Sequence, residues 1–146
     1  MMVTRTLSQA LVIRLGAGEF AIPVEDVTEV LSMVELTALP ESPPWLVGMV
    51  NLRGDVVPVV DLRVRLGIPA EPFGLSTPLI VVAAAGRRIA LVSDGVTEVL
   101  AVRPEDVLPP DGMTGPDPAV DRVIRHGHRL ILSLALDRVA RELPAP

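Results

Sequence analysis

His126 and His128 are the only histidines in the chain, and imidazole is the side chain best suited to binding metals and moving protons near neutral pH. At i, i+2 in a strand both rings share a face, as a metal pair requires. No third ligand stands near them and Gly127 between them marks a turn, so they read as solvated turn residues. The acidic neighbours Glu25-Asp26 and Glu105-Asp106, placed in strands, point to opposite faces and cannot share a substrate. Gly16-Ala17-Gly18 lacks the third glycine and following helix of a dinucleotide site and reads as a hairpin. There is no Gly-x-Ser-x-Gly elbow, Walker loop or histidine-containing metalloprotease helix. With no cysteine, disulfides, thiolate nucleophiles and thiolate zinc sites are excluded together.

What remains is surface chemistry, carried by two segments. In Val27-Thr28-Glu29-Val30-Leu31, strand geometry puts Val27, Glu29 and Leu31 on one face and Thr28 and Val30 on the other. A carboxylate between two apolar chains fits a bulge or strand end where Glu29 reaches water while its neighbours stay in the core. It also fits a contact face whose rim charge sets register. Glu29 is expected to be accessible, with Thr28 and Val30 turned inward. The second segment is Asn51-Leu52-Arg53-Gly54, followed by Asp55-Val56-Val57-Pro58-Val59-Val60-Asp61-Leu62. Arg53 is the only arginine between Arg14 and Arg63. Its planar fork can grip a carboxylate or backbone carbonyls, or it can be a solvated turn residue.

The elements that must hold these residues are strands. Twenty-three valines, in short runs broken by glycine and proline, point to a mostly β fold. Gly18-Glu19, Gly54-Asp55, Gly86-Arg87 and Gly127-His128 each separate two apolar runs and are expected as type II′ hairpin turns. Asp61 can cap a helical turn through Leu62 to Leu66, and Asp137 a helix that stops at Pro144. The stretch from Arg103 to Val120, with five prolines and two glycines, is expected as an exposed loop or meandering edge.

The sequence also repeats itself. Val27–Leu31 recurs unchanged as Val96–Leu100, 69 positions on. The strand at Leu11 matches that at Leu79, Gly18 matches Gly86 (both at 68), and Gly54 matches Gly127 at 73. The shared order of features implies two homologous five-stranded halves. Each is expected to close as a small barrel, with a groove between the two. Within a single 1–146 unit, the first barrel is expected over about 7–67, a linker over 68–77, a second barrel over about 78–136 and a C-terminal helix over 137–143. Val12, Ile22, Val57 and Val59 are expected in one core, with Val81, Leu91, Leu130 and Leu132 in the other.

Composition narrows the function classes. With 146 residues, 49% apolar, 13 basic against 18 acidic and a net charge of -5, the chain reads as a folded soluble unit rather than a disordered one. Scattered arginines, with only Phe20, Trp45 and Phe73 to stack on bases, make nucleic acid an unexpected partner. The longest apolar run, Leu79 to Ala85, has seven residues, against roughly 20 for a membrane span. Without a secretory pattern at Met1–Leu7, a cytoplasmic location without membrane insertion is expected.

These residues resemble the CheW family of bacterial chemotaxis coupling proteins. The resemblance rests on Glu19–Val27, on Pro44–Gly54 with its Asn-Leu-Arg-Gly motif, and on Val57–Arg63. It continues through Arg88–Val96 and Leu130–Leu134. It implies two SH3-like five-stranded barrels and a non-catalytic scaffold or adaptor without cofactors. The implied partners are a chemoreceptor cytoplasmic tip and the regulatory domain of a CheA-type histidine kinase. Carried over by position, the receptor-facing residues are Val27, Glu29 and Arg53, with Leu31, Asn51, Leu52 and Gly54 beside them, and the kinase is bound through barrel ends. The chain departs from the family's pattern at Ala135 and at Ile124-Arg125-His126-Gly127, which bears on contacts of the second barrel. A CheW-like adaptor of surface motility or development is the competing reading. A small hydrolase or a nucleic-acid-binding β-barrel is more remote.

Overall fold

The computed structural model describes residues 8–108 and 118–144. Its strands are β1 (Gln9–Leu15), β2 (Gly18–Pro23), β3 (Val27–Ser32), β4 (Leu46–Leu52), β5 (Asp55–Asp61), β6 (Pro78–Ala84), β7 (Arg87–Val92), β8 (Gly95–Ala101), β9 (Val107–Leu108), β10 (Val120–His126) and β11 (Arg129–Leu134). Two short helices, α1 (Leu62–Arg65) and α2 (Leu136–Arg141), follow β5 and β11. The fold is mostly β, as expected. Residues 109–117 of the proline-rich stretch lie outside the described residues.

The strands form two sheets, ordered β3-β6-β7-β5-β4 and β8-β1-β2-β11-β10-β9. Matching β3 with β8, β6 with β1, β7 with β2, β5 with β11 and β4 with β10 makes the two orders identical apart from β9. The parallel pair β5–β7 then corresponds to β11–β2. The two pentapeptides occupy the same edge position and share one irregularity. A register shift lies between Val27 and Glu29 on β3 and, opposite β8, between Val12 and Ile13. Thr28 Oγ1 donates to the Val81 carbonyl at 3.1 Å, and Thr97 Oγ1 to the Val12 carbonyl at 3.2 Å.

The contiguous partition expected from sequence, a barrel over about 7–67 and another over 78–136, does not describe these sheets. The β1–β2 hairpin belongs with β8, β10 and β11, while β6–β7 belongs with β3, β4 and β5. The halves have exchanged hairpins. A repeat hides such an exchange, because two hairpins of equivalent pattern offer the same edges to both partners. The barrel built on β3–β5 is the first barrel, and the one built on β8–β11 is the second.

Three apolar layers result. One fills the first barrel, with Val50, Val57, Val59, Leu79, Val81 and Val92 fully or almost fully buried. One fills the second, around Ala10, Val12, Ala21, Ile124 and Ile131. The most populous lies between the barrels, where Leu11, Ile13, Ile22, Ile80, Val82 and Leu91 meet α2. Strands β1 and β6 are therefore buried on both faces, which explains their unbroken apolar runs. The expected groove between barrels is, over this area, a packed core. Six of the eight expected core residues are buried, but not in the expected division. Val57, Val59 and Val81 share the first barrel, Val12 belongs to the second, and Ile22 and Leu91 lie between. Leu132 is half-buried and Leu130 is 51% exposed, because on β11 the parity that points inward carries Ile131 and Ser133.

Of the four expected turns, Gly127-His128 lies where expected, two lie one residue earlier, at Arg53-Gly54 and Ala85-Gly86, and the first is Gly16-Ala17 rather than Gly18-Glu19. Arg53-Gly54 and Ala85-Gly86 have positive φ at both central positions, 53° and 91°, and 51° and 75°. That is the type I′ pattern rather than II′. In the equivalent turns, Gly16-Ala17 and Gly127-His128, glycine comes first with φ of 60° and 63°. Glycine thus changes place within the turn, and aligning glycines shifted the repeat. Strand registers give 69 for β1 against β6 (Val12–Ala21 matching Val81–Ala90) and 74 for β5 against β11 (Val59–Ala90 matching Ser133–Ala21). The helices run Leu62–Arg65 and Leu136–Arg141. Asp61 caps α1 as expected. Asp137 does not cap α2; its Oδ1 accepts from Ala85 N at 3.0 Å.

Candidate functional site

Strand β3 presents the opposite face from the one expected. Thr28 and Val30 are exposed, whereas Val27, Glu29 and Leu31 are half-buried, with Leu31 packed on the first core. Glu29 sits opposite Val81, whose side chain faces the barrel interior, so its carboxylate lies at the barrel mouth. Arg88 and Asp55 reach the same mouth, each two residues before an inward-facing residue, Ala90 and Val57. Arg53, 73% exposed at the β4–β5 turn, donates Nη2 to Glu29 Oε2. Arg88 approaches Glu29 at 3.6 Å and pairs with Asp55 at 2.6 Å. Two guanidinium groups and two carboxylates thus close one end of the first barrel. Around them Asn51 is exposed and its Oδ1 accepts from Gly54 N at 2.9 Å, shaping the turn. Leu52 is buried in the core, and Gly54 has open space around it.

The equivalent mouth of the second barrel carries the same device with charges interchanged. Arg129 bonds Glu98, and its Nε donates to Glu19 at 3.0 Å. By strand register Glu98 corresponds to Glu29, Glu19 to Arg88 and Arg129 to Asp55. These two carboxylates hold the Arg129 guanidinium protonated to above its ordinary range. No arginine matches Arg53 here, because Gly127 takes its place.

A buried ionic cluster escaped the sequence reading. Arg63, 2% exposed, donates from Nε and Nη2 to the two Asp61 oxygens at 3.0 Å, and from Nη1 to Asp94 Oδ1 at 2.9 Å. Asp94 Oδ2 accepts from Gly16 N at 2.6 Å, and Asp94 N donates to the Arg14 carbonyl at 2.9 Å. The guanidinium also lies 5.4 Å from the Phe73 ring centroid. The cluster ties α1 of the first barrel to the β1–β2 turn of the second. The hydrogen bonds that Arg63 donates to Asp61, above all, raise its pKa. The signal available was an Asp-x-Arg pair directly after an apolar strand, where a charge has to be paired to be buried.

The remaining candidates do not converge. His126 and His128 are exposed on either side of Gly127. Among the described residues no group of three or more His, Asp or Glu could hold a metal. Glu25-Asp26 and Glu105-Asp106 lie in 3₁₀ turns rather than strands, and Arg103 hydrogen-bonds Asp106 and lowers its pKa. No helix among the described residues is long and apolar enough to cross a membrane. Exposed apolar side chains recur in register instead. Val30 (46%) corresponds to Val99 (55%), and Val56 (63%) to Leu130 (51%).

Together these features define a class: a duplicated pair of SH3-like barrels whose charged side chains are committed largely to one another. The model of the CheW-like domain family matches residues 9–143, and the chain belongs to that family. It is 38% identical over 98 residues to a probable chemotaxis protein CheW of Rhizobium etli, a match covering 66% of this chain and 62% of that protein. Chemotaxis protein CheW of Helicobacter pylori is 26% identical over 129 residues, 88% of this chain and 78% of that protein. The crystal structure of the scaffolding protein TtCheW from Thermoanaerobacter tengcongensis superposes with a TM-score of 0.82 at 29% identity, covering 88% of this chain and 89% of the other.

Proposed function

We propose that this chain is a non-catalytic scaffold that couples chemoreceptors to a CheA-type histidine kinase. The family supports it, as does the solved scaffolding relative. The observation that carries the receptor site is the exposed Arg53 fork, seated on Glu29 at a barrel mouth. In this reading Glu29 and Arg53 contact the receptor tip. Asn51, Leu52 and Gly54 set the turn that aims Arg53, and Val27 and Leu31 seat the strand that carries Glu29. A receptor tip is a helical hairpin, offering carboxylates on its flanks and unpaired carbonyls at its end. Arg53 can exchange Glu29 for either, because its guanidinium is mostly in water. The kinase regulatory domain, of like fold, docks on barrel ends.

The test is a binding assay with a purified receptor tip and a purified kinase regulatory domain. Binding of both, with Arg53→Ala weakening the receptor alone, supports the assignment. Failure to bind either refutes it.

A further inference from the structure

The two barrels share a topology but not a filling. At equivalent inward-facing positions Leu79 of the first barrel corresponds to Ala10 of the second, and Val59 to Ser133. Leu52, buried at the first mouth, corresponds to His126, which is exposed. Two valines, Val50 and Val57, become Ile124 and Ile131, and these return only two methylenes against the isopropyl group missing at Ala10 and the whole side chain withdrawn at His126. Met33 and Phe73 pack against the first core; Met33 is matched in the second by the smaller Val102, and no aromatic ring is among the described residues of the second cluster. In the second, the Ser133 hydroxyl is fully buried and finds no hydrogen-bond partner among the described residues. Apolar burial and satisfied polar groups are what resist local opening, and on both counts the second barrel is poorer.

We infer that the molecule has one rigid barrel, carrying Glu29 and Arg53, and one compliant barrel, whose β10–β11 hairpin opens to solvent before the equivalent β4–β5 hairpin. Both outer strands have a supported edge. Ile124 of β10 pairs with Val107 of β9, and Met49 of β4 pairs with Thr37.

Native-state hydrogen exchange on the full chain, corrected for intrinsic rates, tests this directly. Amides of Val123–His126 and Leu130–Leu134 are expected to exchange at least tenfold faster than those of Val50–Leu52, Val56, Val57, Val59 and Val60, a difference of about 1.4 kcal/mol in opening free energy. Equal rates, or slower exchange in β10–β11, overturn the inference. Ser133→Val, which installs the residue of the stronger barrel, is expected to slow exchange across β10–β11 at least threefold and leave β4–β5 unchanged. Exchange that is not slowed, or a variant that does not fold, shows that the hydroxyl supports the barrel and overturns the inference. The reciprocal Val59→Ser is expected to bring β4–β5 exchange close to that of β10–β11.

Discussion

Arg53 is held at a backbone φ of 53°, a conformation that a residue with a Cβ adopts at some cost, and its guanidinium points mostly into water. Both facts fit a side chain kept for contact rather than for stability. Arg53→Ala is expected to weaken receptor-tip binding at least tenfold, about 1.4 kcal/mol, with little change in melting temperature. Calorimetric titration beside thermal denaturation reads both. Lysine keeps the charge without the fork and should restore only part of the affinity. Glu29 differs because two guanidinium groups converge on it and its side chain is only 25% exposed. Glu29→Lys would place three cations at one barrel mouth. It is expected to lower the melting temperature by a few degrees, in the range of an exposed pair turned repulsive, whereas Glu29→Gln should melt close to the parent. Arg63 belongs to the interior. Removing it leaves Asp61 buried without its partner, and loss of one member of a buried pair typically costs about 3 to 5 kcal/mol. Arg63→Ala should therefore depress the melting temperature by roughly 10 °C, and differential scanning calorimetry will show it.

At the scale of elements, β4 has one position where the backbone leaves no choice. A Cβ on Gly48 would stand 2.6 Å from the Thr37 carbonyl oxygen, where the chain crosses back to pair with Met49. Gly48→Ala has to push that bridge away and is expected to cost about 2 kcal/mol or more, an overpacking penalty against backbone. Urea denaturation measures it. The register-equivalent position on β10 is Arg122, which shows that the constraint comes from the Thr37 bridge and not from the barrel. Much at this scale was legible in the sequence: the hairpins, the Asp61 cap and the repeated Val-Thr-Glu-Val-Leu strand all form. Parity on β3 and β11 was not. A bulge at Thr28 and the choice between Leu130 and Ile131 depend on which sheet face finds a core, and both faces of these strands carry apolar residues. Of the Arg63 cluster only the Asp61-x-Arg63 pair stood in the local sequence, while Asp94, 31 positions on, leaves no local pattern.

At the scale of the whole molecule, each barrel needs a hairpin from the other half of the chain. A fragment ending near residue 70 keeps β1–β2 but lacks β8, β11 and the β6–β7 hairpin of its own barrel. Neither it nor the complementary fragment is expected to fold alone, and mixing the two should restore the β-sheet circular dichroism of the intact chain. Two independently folded fragments would contradict the exchanged pairing. Sequence reasoning reached the duplication but not the exchange, because equivalent strands such as β1 and β6 are interchangeable on paper. Only the three-layer packing, with Ile13 and Ile80 between barrels, decides the matter.

That exchange has a bearing on ancestry and assembly. A chain whose two similar halves trade hairpins has the connectivity of a strand-swapped homodimer written into one polypeptide. Joining the subunits through the segment from Gly67 to Thr77 turns an encounter between two molecules into a step within one, so folding ceases to depend on how dilute the protein is. It also frees each half to change alone. Arg53 in one turn and Gly127 in the other, or Arg88 and Asp55 against Glu19 and Arg129, are differences no symmetric dimer could keep. From two identical ends, fusion makes a molecule with a front and a back.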